Sequence, residues 1–526
     1  MASNSILSMV CNGPALATHG LRLRRASMAS VLVVASAGAL GQDAQVEADP
    51  ARAMSVVPRI SLTETFTDNV RLVNSGRQSD QITELSPGMS ISMDSGRLKG
   101  FFDYALNLVE YAQNASLSHS QSALNTFGTL EAVDNWLYLD FSGAISQQSI
   151  SAFGTLSNDN AASNANKTEV STYRVSPYLK GRLGDVANYD ARYGRSVTHG
   201  NAASVSGVAT SDAMVSFNGD SAFRNLGWSV DANRQSIDYS AGRATEADRF
   251  DLGLSYSVTP QLGVFASAGR EFSNYASVEK QAYATNSYGV NWSPSETTKF
   301  SAMQGNRSFG ESHNLSFEHR TPRTVWSFTD SKDVSATPNQ TGIASLGTTY
   351  DLFFRQFASL IPNPISRAQF VNAFLQANGI NPSAPVTTGF LTSSVSLLRR
   401  QDLSFALLGI RDTVTVIATQ SESSRLDTVS TSFDDFTTSS VVRQHGLSVN
   451  YSHRFTPDYA LGVLVSQQIT SGVGSLQDAT LNFLNISLTG KVRKNATASL
   501  GVRRAVYSGS APYEENAVVL NFIAQF

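Results

Sequence analysis

Hydrophobic and polar residues alternate along most of the chain, from Pro58 to the C-terminus. One segment carries, at every second position, the apolar residues Phe250, Leu252, Leu254, Tyr256 and Val258. A period of two is typical of β-strands with one apolar face and one polar face. The alternating segments are ~10 to 15 residues long, whereas strands of globular proteins are usually ~5 to 6 residues long. A tilted strand needs ~9 to 11 residues to cross a bilayer, so the pattern predicts transmembrane strands.

The connections between these segments alternate between short and long. Short turn-type sequences include Asp94-Ser95-Gly96, Gly184-Asp185, Thr259-Pro260, Thr321-Pro322 and Thr456-Pro457. The long connections are 68–79, 150–167, 199–207, 240–246, 333–390, 424–437 and 509–512. Short turns on one side and long loops on the other are typical of outer-membrane barrels. Strict alternation requires a weakly patterned strand at 123–131. With that strand, the sequence predicts an all-β fold, an antiparallel transmembrane barrel over 58–526 with about 22 strands, within a range of about 18 to 24.

The end of the chain alternates in the same way up to a terminal aromatic residue. Val518, Leu520, Phe522, Ala524 and Phe526 share one face. This pattern resembles the C-terminal signature by which the barrel assembly machinery recognises outer-membrane barrels, so Phe522 and Phe526 are the candidate assembly signal. An ordinary last strand of a soluble sheet is the alternative interpretation.

The N-terminus is typical of an exported protein. Residues 1–25 lack acidic groups and contain Arg22, Arg24 and Arg25, and an apolar stretch then runs from Ala29 to Leu40. The stretch is too short for a transmembrane helix, which needs ~20 apolar residues. We therefore expect a signal peptide over 1–41, cleaved near 39–44, and a short periplasmic segment over 42–57. A buried N-terminal helix is the alternative.

Residues 333–390 interrupt the strand pattern with two helical patterns. Tyr350, Phe353, Phe354, Phe357 and Leu360 stand at helical spacing. A second helix is predicted from an Asn363 cap, with Pro364 at its first position, to Asn378-Gly379. We expect a helical hairpin in one long loop. It acts as a lid over or in the mouth of the barrel, or it is a surface loop held by its neighbours. The candidate lid residues are Tyr350, Phe353, Phe357, Phe370 and Phe374.

Composition narrows the function. The 526 residues are 41% hydrophobic and only 15% charged, with a formal net charge of −3, so there is no basic footprint for nucleic acid. No metal, nucleophile or phosphate motif occurs, so we predict no enzyme and no cofactor. Glu514-Glu515 is interpreted as a solvated rim. Charged residues on the polar side of the strands are the candidate lumen lining: Asp103, Asp140, Arg174, Lys180, Asp190, Arg192, Asp231, Asp251, Glu271, Arg400, Arg411 and Arg503. For any single one, a structural salt bridge in the wall is the preferred interpretation.

Several segments resemble a known family. They are 59–71 (RISLTETFTDNVR), 79–91 (SDQITELSPGMSI), 96–100 (GRLKG), 350–380, Arg399-Arg400 and 409–415 (GIRDTVT). They are similar to the outer-membrane β-barrel family associated with the PEP-CTERM/exosortase system of Gram-negative bacteria. The resemblance implies a role near exopolysaccharide export, with periplasmic polysaccharide-export proteins as partners, and no catalytic residues.

We therefore expect a barrel in the outer membrane of a Gram-negative bacterium, surrounded by lipid and lipopolysaccharide. The first hypothesis is a channel that assists the export of exopolysaccharide or extracellular matrix material. The alternatives are a general porin for polar solutes and a structural surface barrel without transport.

Overall fold

The structure is a computed structural model. It describes residues 54–335 except 203, 204, 222 and 224; residues 350, 353, 354, 357, 361 and 363–377; and residues 389–526 except 428, 430–433 and 475–477. The described residues belong to one compact unit. The predicted signal peptide, 1–41, lies outside them, as does 42–53 of the predicted periplasmic segment.

The described residues form 22 strands. They are β1 (Met54–Thr67), β2 (Asp80–Asp94), β3 (Leu98–Tyr111), β4 (His119–Val133), β5 (Leu137–Ser149), β6 (Lys167–Leu183), β7 (Ala187–Gly200), β8 (Val208–Asp220), β9 (Leu226–Tyr239), β10 (Thr245–Thr259), β11 (Leu262–Ser273), β12 (Gln281–Ser295), β13 (Thr298–Arg307), β14 (Gly310–Arg320), β15 (Thr324–Ser335), β16 (Ser396–Leu408), β17 (Asp412–Arg425), β18 (Val441–Arg454), β19 (Tyr459–Gly472), β20 (Ala479–Arg493), β21 (Ala496–Ser508) and β22 (Tyr513–Gln525).

Each strand pairs antiparallel with the next one in the chain, and β22 pairs with β1. The closing seam runs from Arg59 opposite Gln525 to Thr67 opposite Ala517. The sheet is therefore a closed barrel without a free edge, and the expected number of about 22 strands is confirmed. The weakly patterned strand expected at 123–131 is β4, which is longer at both ends.

The outer face of the wall is apolar over a band. On β10 the residues from Phe250 to Val258 that point outward are exposed and apolar, and the next outward residue towards the long loops is Asp248. Eight residue steps of ~3.3 Å at a tilt of ~40° span ~20 Å along the barrel axis, close to the ~25 Å apolar band of outer-membrane barrels. A closed barrel with this band is stable in lipid because the backbone groups of neighbouring strands pair with each other. The protein is an outer-membrane β-barrel.

The two ends of the barrel differ. The end that carries Met54 and Gln525 has turns of two to five residues, such as 95–97, 260–261 and 494–495, and Gly184 adopts a positive φ of 56° in one of them. The long connections are at the other end. Because outer-membrane barrels have short periplasmic turns, the long loops are extracellular.

The described residues contain one full helix, α1 (Pro364–Ala377), and two short 3-10 turns, Ala115–Leu117 and Asp435–Thr437. The side chain of Asn363 accepts hydrogen bonds from the backbone N–H groups of Ile365 and Ser366, at 2.9 and 3.2 Å, which confirms the predicted cap. Tyr350, Phe353 and Phe354 also have helical backbone. Within the described part of the chain, no helix is long and apolar enough to cross a membrane.

Candidate functional site in the lumen

The pairing register assigns an inner face to every strand, because directly opposed residues of neighbouring strands lie on the same side of the sheet. Eleven of the candidate lumen residues lie on one continuous face: Asp103, Asp140, Arg174, Lys180, Asp190, Arg192, Asp231, Asp251, Glu271, Arg400 and Arg503. Phe101 and Tyr507, which contact segments inside the barrel, share that face. It is the luminal face.

Arg411 is the exception, and its expected position in the wall is wrong. It lies in the turn 409–411 between β16 and β17, where its carbonyl accepts a hydrogen bond from the backbone N–H of Arg454 at 2.8 Å. Gly409 donates its N–H to the carbonyl of Asp412 at 2.7 Å, which closes the turn. The turn interrupts the alternation of inward and outward side chains. The alternation of β16 or β17 therefore does not predict which way the side chain of Arg411 points.

Most of the luminal charges are paired with an opposite charge. The pairs are Arg59 with Asp103 (2.6 Å for Nη2–Oδ1), Arg192 with Asp140 (2.7 Å), Arg174 with Asp212 (2.7 Å), Arg249 with Asp251 (2.6 Å), Arg307 with Glu271 (3.1 Å) and Arg400 with Asp402 (2.8 Å). Lys180 lies over the ring of Tyr138 at 4.1 Å, and Asp231 accepts a hydrogen bond from Ser216 at 2.7 Å. The wall thus offers many polar contacts and little uncompensated charge.

The loop 150–166, here called the upper segment, folds into the lumen. Leu156 is completely buried in a cluster with Leu481, Tyr507 and Tyr513. The hydroxyl of Tyr513 donates to the carbonyl of Leu156 at 2.7 Å, and that of Tyr507 donates to the carbonyl of Gly154 at 2.8 Å. The loop joins β5 to β6, but these partners lie on β20, β21 and β22, which are five or more strands away around the wall. A segment that begins at β5 and contacts β20, β21 and β22 must cross the inside of the barrel.

A buried ion cluster, here called the latch, joins the upper segment to the wall. One Nη atom of Arg503 lies 2.6 Å from the carboxylate of Asp159 and 2.8 Å from that of Glu515. Glu515 is 2% exposed and also accepts a hydrogen bond from Thr67 at 2.8 Å. The interpretation of Glu514-Glu515 as a solvated rim is therefore wrong for Glu515, because the upper segment covers it.

The latch also sets the charge of Asp159, which lies outside the membrane-spanning strands. Burial alone would raise the pKa of this carboxyl group. The positive charge of Arg503, the N–H of Ala161 and the ammonium of Lys167 outweigh that effect and hold the pKa of Asp159 below its usual value. Asp159 is therefore ionised at neutral pH while the upper segment is in place.

Two further extracellular connections pack against the upper segment. The carboxylate of Asp435 accepts hydrogen bonds from the Ser151 hydroxyl at 2.6 Å and from the Ala152 N–H at 2.7 Å. Burial raises the pKa of Asp435 above its usual value. The backbone N–H of Leu391 donates to the carbonyl of Ile150 at 3.3 Å. Parts of three loops thus meet at the extracellular end of the barrel.

The described residues of 350–377, here called the lower segment, occupy the opposite end of the lumen. Phe353 and Phe357 are buried in one cluster with Phe101 of β3 and Ile417 of β17. These two strands are eight positions apart around the wall, so the segment between them is inside the barrel. Phe101 is the fourth residue of β3 after a periplasmic turn. From there the strand rises another ten residues, ~33 Å of strand or ~25 Å along the barrel axis, to its extracellular end.

The candidate lid residues are therefore deep in the lumen instead of at the outer mouth. Tyr350, Phe353 and Phe357 are buried, and the ring of Phe370 packs edge-on against Phe357 at 5.0 Å. The side chain of Phe374 lies outside the described residues. The side-chain amide of Gln369 donates to the Ser92 hydroxyl of β2 at 2.7 Å. The helical spacing of these residues was visible in the sequence, but no local signal shows how far a loop descends.

No family model and no curated protein matches the chain. Several solved structures are similar over most of its length. The siderophore receptor PirA of Pseudomonas aeruginosa aligns with 90% of this chain and 80% of its own, at 9% identity and a TM-score of 0.42. The FrpB iron transporter of Neisseria meningitidis aligns with 89% and 81%, at 11% identity and a TM-score of 0.45. A likeness of this degree assigns neither a family nor a function to the chain.

Proposed function

We propose that the protein is a gated outer-membrane transport barrel that assists the export of exopolysaccharide. The observation that carries the proposal is a wide polar lumen into which two segments of the chain insert. With a strand spacing of ~4.8 Å and a tilt of ~40°, a barrel of this many strands is roughly 40 Å across between backbones. One helix with its side chains is only ~10 to 12 Å wide. The wall thus encloses far more space than its own side chains fill, and loops of the chain occupy it.

The chemistry of the wall favours a hydrated polar cargo. Opposite charges on the inner face neutralise each other in pairs, for example Arg192 with Asp140 at 2.7 Å and Arg174 with Asp212 at 2.7 Å. Such a wall exerts little net attraction on ions of one sign, but it offers hydrogen-bond donors and acceptors along its length. A neutral polyhydroxyl chain can slide over many weak contacts of this kind without being held by one of them.

The choice of exopolysaccharide as cargo rests on the sequence resemblance at 59–71, 79–91 and 409–415. That resemblance also favours periplasmic polysaccharide-export proteins as partners. A general porin for polar solutes would use the same wall, so the proposal needs an experiment that separates export from uptake.

A clean deletion strain makes this separation. If the barrel exports polymer, we expect polysaccharide to accumulate in the periplasm and to be lost from the cell surface, while uptake of small sugars is unchanged. Reduced uptake of small polar solutes with normal surface polysaccharide would support the porin instead. If neither quantity changes, the structural barrel without transport is the better interpretation.

Gating is tested separately in planar bilayers. Removal of 340–388 takes out the whole lower segment, and we expect a larger conductance than for the intact protein. Because the upper segment remains, we expect a further increase when the latch is broken in the same variant. Equal conductance in all three proteins would show that neither segment obstructs the lumen.

A further inference from the structure

The wall opens between β4 and β5 at its extracellular end. Pairing of these strands ends at Leu124 opposite Ile145. β4 nevertheless continues to His119 along β3, and β5 continues to Ser149 along β6. Residues 119–123 and 146–149 therefore diverge, and we call this opening the fork. It begins just above the apolar band, since the next outward residues, Ser122 and Gln147, are polar.

The fork contains a cavity of about 570 Å³, within the range of pockets that hold small ligands. Its lining includes His119 and Gln121 from the inner face of β4, Gln147 from the outer face of β5, and Asn160 from the upper segment. Because residues of both faces line it, the cavity passes through the wall and reaches the upper segment.

Polar contacts hold the lining in place. The Nδ1 atom of His119 lies 2.7 Å from the carbonyl of Leu117, which makes Nδ1 the protonated nitrogen. The Nε2 atom of His119 then accepts from the amide nitrogen of Gln121, 2.6 Å away, and this amide also donates to the carbonyl of Asn160 at 2.8 Å. Glu169 bridges the fork, because its carboxylate accepts from the backbone N–H of Ser122 at 2.7 Å.

The charges in the cavity are balanced and engaged. Lys167 donates to the Asp159 carbonyl at 2.8 Å and to the side chain of Asn160 at 3.0 Å. Glu169 accepts from Ser122 and also from Asn201 at 3.2 Å. Because Lys167 and Glu169 have opposite charges and each already has hydrogen-bond partners, the cavity favours neither an anionic nor a cationic ligand.

The groups left for a ligand are one amide and two hydroxyls. Within the described part of the chain, the side chains of Ser120, Gln147 and Ser163 make no hydrogen bond, and all three line the cavity. An amide and a hydroxyl can each donate and accept, as can the hydroxyl groups of a sugar. An apolar ligand would leave these groups unpaired, at a cost in affinity.

We infer that the fork is a binding subsite for a neutral saccharide segment, reached from the extracellular side and in contact with the upper segment. The inference rests on the proposed function in that the saccharide is a part of the exported polymer. The same chemistry is offered by the core sugars of lipopolysaccharide in the surrounding outer leaflet, so the test must distinguish the two sources.

The experiment is isothermal titration of the purified full chain in detergent with a panel of probes. The probes are neutral hexose tetrasaccharides of different linkage, fragments of the strain's own exopolysaccharide, lipopolysaccharide core oligosaccharide, and a tetrameric uronic acid as an anionic control. We expect saturable binding of at least one neutral member or of the polymer fragments, and none of the uronate. Binding of the core oligosaccharide alone would assign the fork to the membrane lipid and overturn its link to export.

Two variants test the location. The double variant Gln147→Ala/Ser163→Ala should weaken saccharide binding at least tenfold, and Gln147→Trp, which fills the cavity, should abolish it. The matched control is Gln420→Ala, an exposed outward glutamine on β17 far from the fork. Heat-modifiable migration on gels checks that each variant is folded.

The inference is overturned if no saccharide binds, or if the double variant binds as well as the unaltered protein. Saccharide binding at the fork together with normal export in the deletion strain would support the binding subsite and contradict the proposed function. An export defect without saccharide binding at the fork would support the proposed function and contradict the binding subsite.

Discussion

The latch makes a quantitative prediction about how the upper segment opens. Arg503 holds two carboxylates, Asp159 on the upper segment and Glu515 on the wall, and its side chain is 9% exposed. We consider the substitution Arg503→Ala. It leaves both carboxylates buried without the cation that bridges them as long as the segment stays in place. When the segment leaves, water reaches both groups, so the substitution penalises only the closed state.

The magnitude follows from these contacts. Removal of one partner from a buried ion pair costs about 3 to 5 kcal/mol. At about 1.4 kcal/mol for each factor of ten, the ratio of open to closed segment should rise roughly a hundredfold to several thousandfold. Asp159→Ala is milder, because Arg503 keeps Glu515 at 2.8 Å. Loss of one charged hydrogen bond costs about 2 kcal/mol, which is a rise of roughly thirtyfold.

Hydrogen–deuterium exchange of the 150–166 peptide measures this ratio, because protected amides exchange through local opening. The matched control is Arg504→Ala, the next residue along β21, which points outward, is 53% exposed and lies 3.5 Å from Glu514. Exposed pairs of this kind contribute about 0 to 1 kcal/mol, so the control should leave the exchange of 150–166 nearly unchanged.

Two results would refute the reasoning. One is an exchange rate of 150–166 in Arg503→Ala that equals the rate in Arg504→Ala. The other is faster exchange of 150–166 in Asp159→Ala than in Arg503→Ala. We expect the opposite order, because Arg503→Ala leaves two buried carboxylates and Asp159→Ala leaves Arg503 paired with Glu515.

Three further predictions concern other parts of the molecule. Phe357→Ala should loosen the lower segment by about 3 to 5 kcal/mol, because Phe357 is completely buried; faster exchange of the 364–377 peptide measures this. Leu254→Arg should destabilise the folded barrel in liposomes by ~2 to 4 kcal/mol in denaturant titrations, since it places a cation near the middle of the lipid-facing band. Acid should free the upper segment only at a pH below the ordinary pKa of a carboxyl group, because the latch holds the pKa of Asp159 below its usual value.

Each of these has a result that would contradict it. Unchanged exchange of 364–377 would mean that the Phe357 cluster does not hold α1. Ser255→Arg, on the luminal face beside Leu254, is the control for Leu254→Arg. An equal loss of stability in both variants would contradict the assignment of the lipid-facing and luminal faces of β10. For the third, release of 150–166 at a pH well above the ordinary pKa of a carboxyl group would contradict the roles assigned to Asp159 and Asp435. Asp159 loses its pairing only on protonation, whereas Asp435, with its raised pKa, binds its proton more tightly in the closed state.

The wall could be predicted from the sequence because the determinants of a membrane strand are local. Whether Leu252 or Asp251 meets lipid depends on its position within a few residues, and the turn residues that separate the strands are local too. The same reasoning fails at Arg411, where the 409–411 turn resets the period, and at Glu515, where burial comes from another part of the chain.

The inserted segments could be predicted only in part. The spacing of Phe353 and Phe357 indicates a helix, and Asn363 indicates where the next one begins. Neither says whether the apolar side packs against another loop at the surface or descends to Phe101. The apolar face of a helix is buried equally well against another loop or against the barrel wall. The hydrophobic pattern therefore does not determine how far the segment descends into the lumen.

The sequence by itself determined a two-faced wall of about 22 strands, its orientation and the one loop with helical pattern. The tertiary structure decided which segments enter the lumen and which contacts hold them there. Asp159 and Arg503 are far apart in the chain, and they meet only because closure of the sheet brings β5 and β21 to the same lumen. Strand patterns arise from each residue's contact with lipid or water, but a buried ion cluster arises from the path of the whole chain.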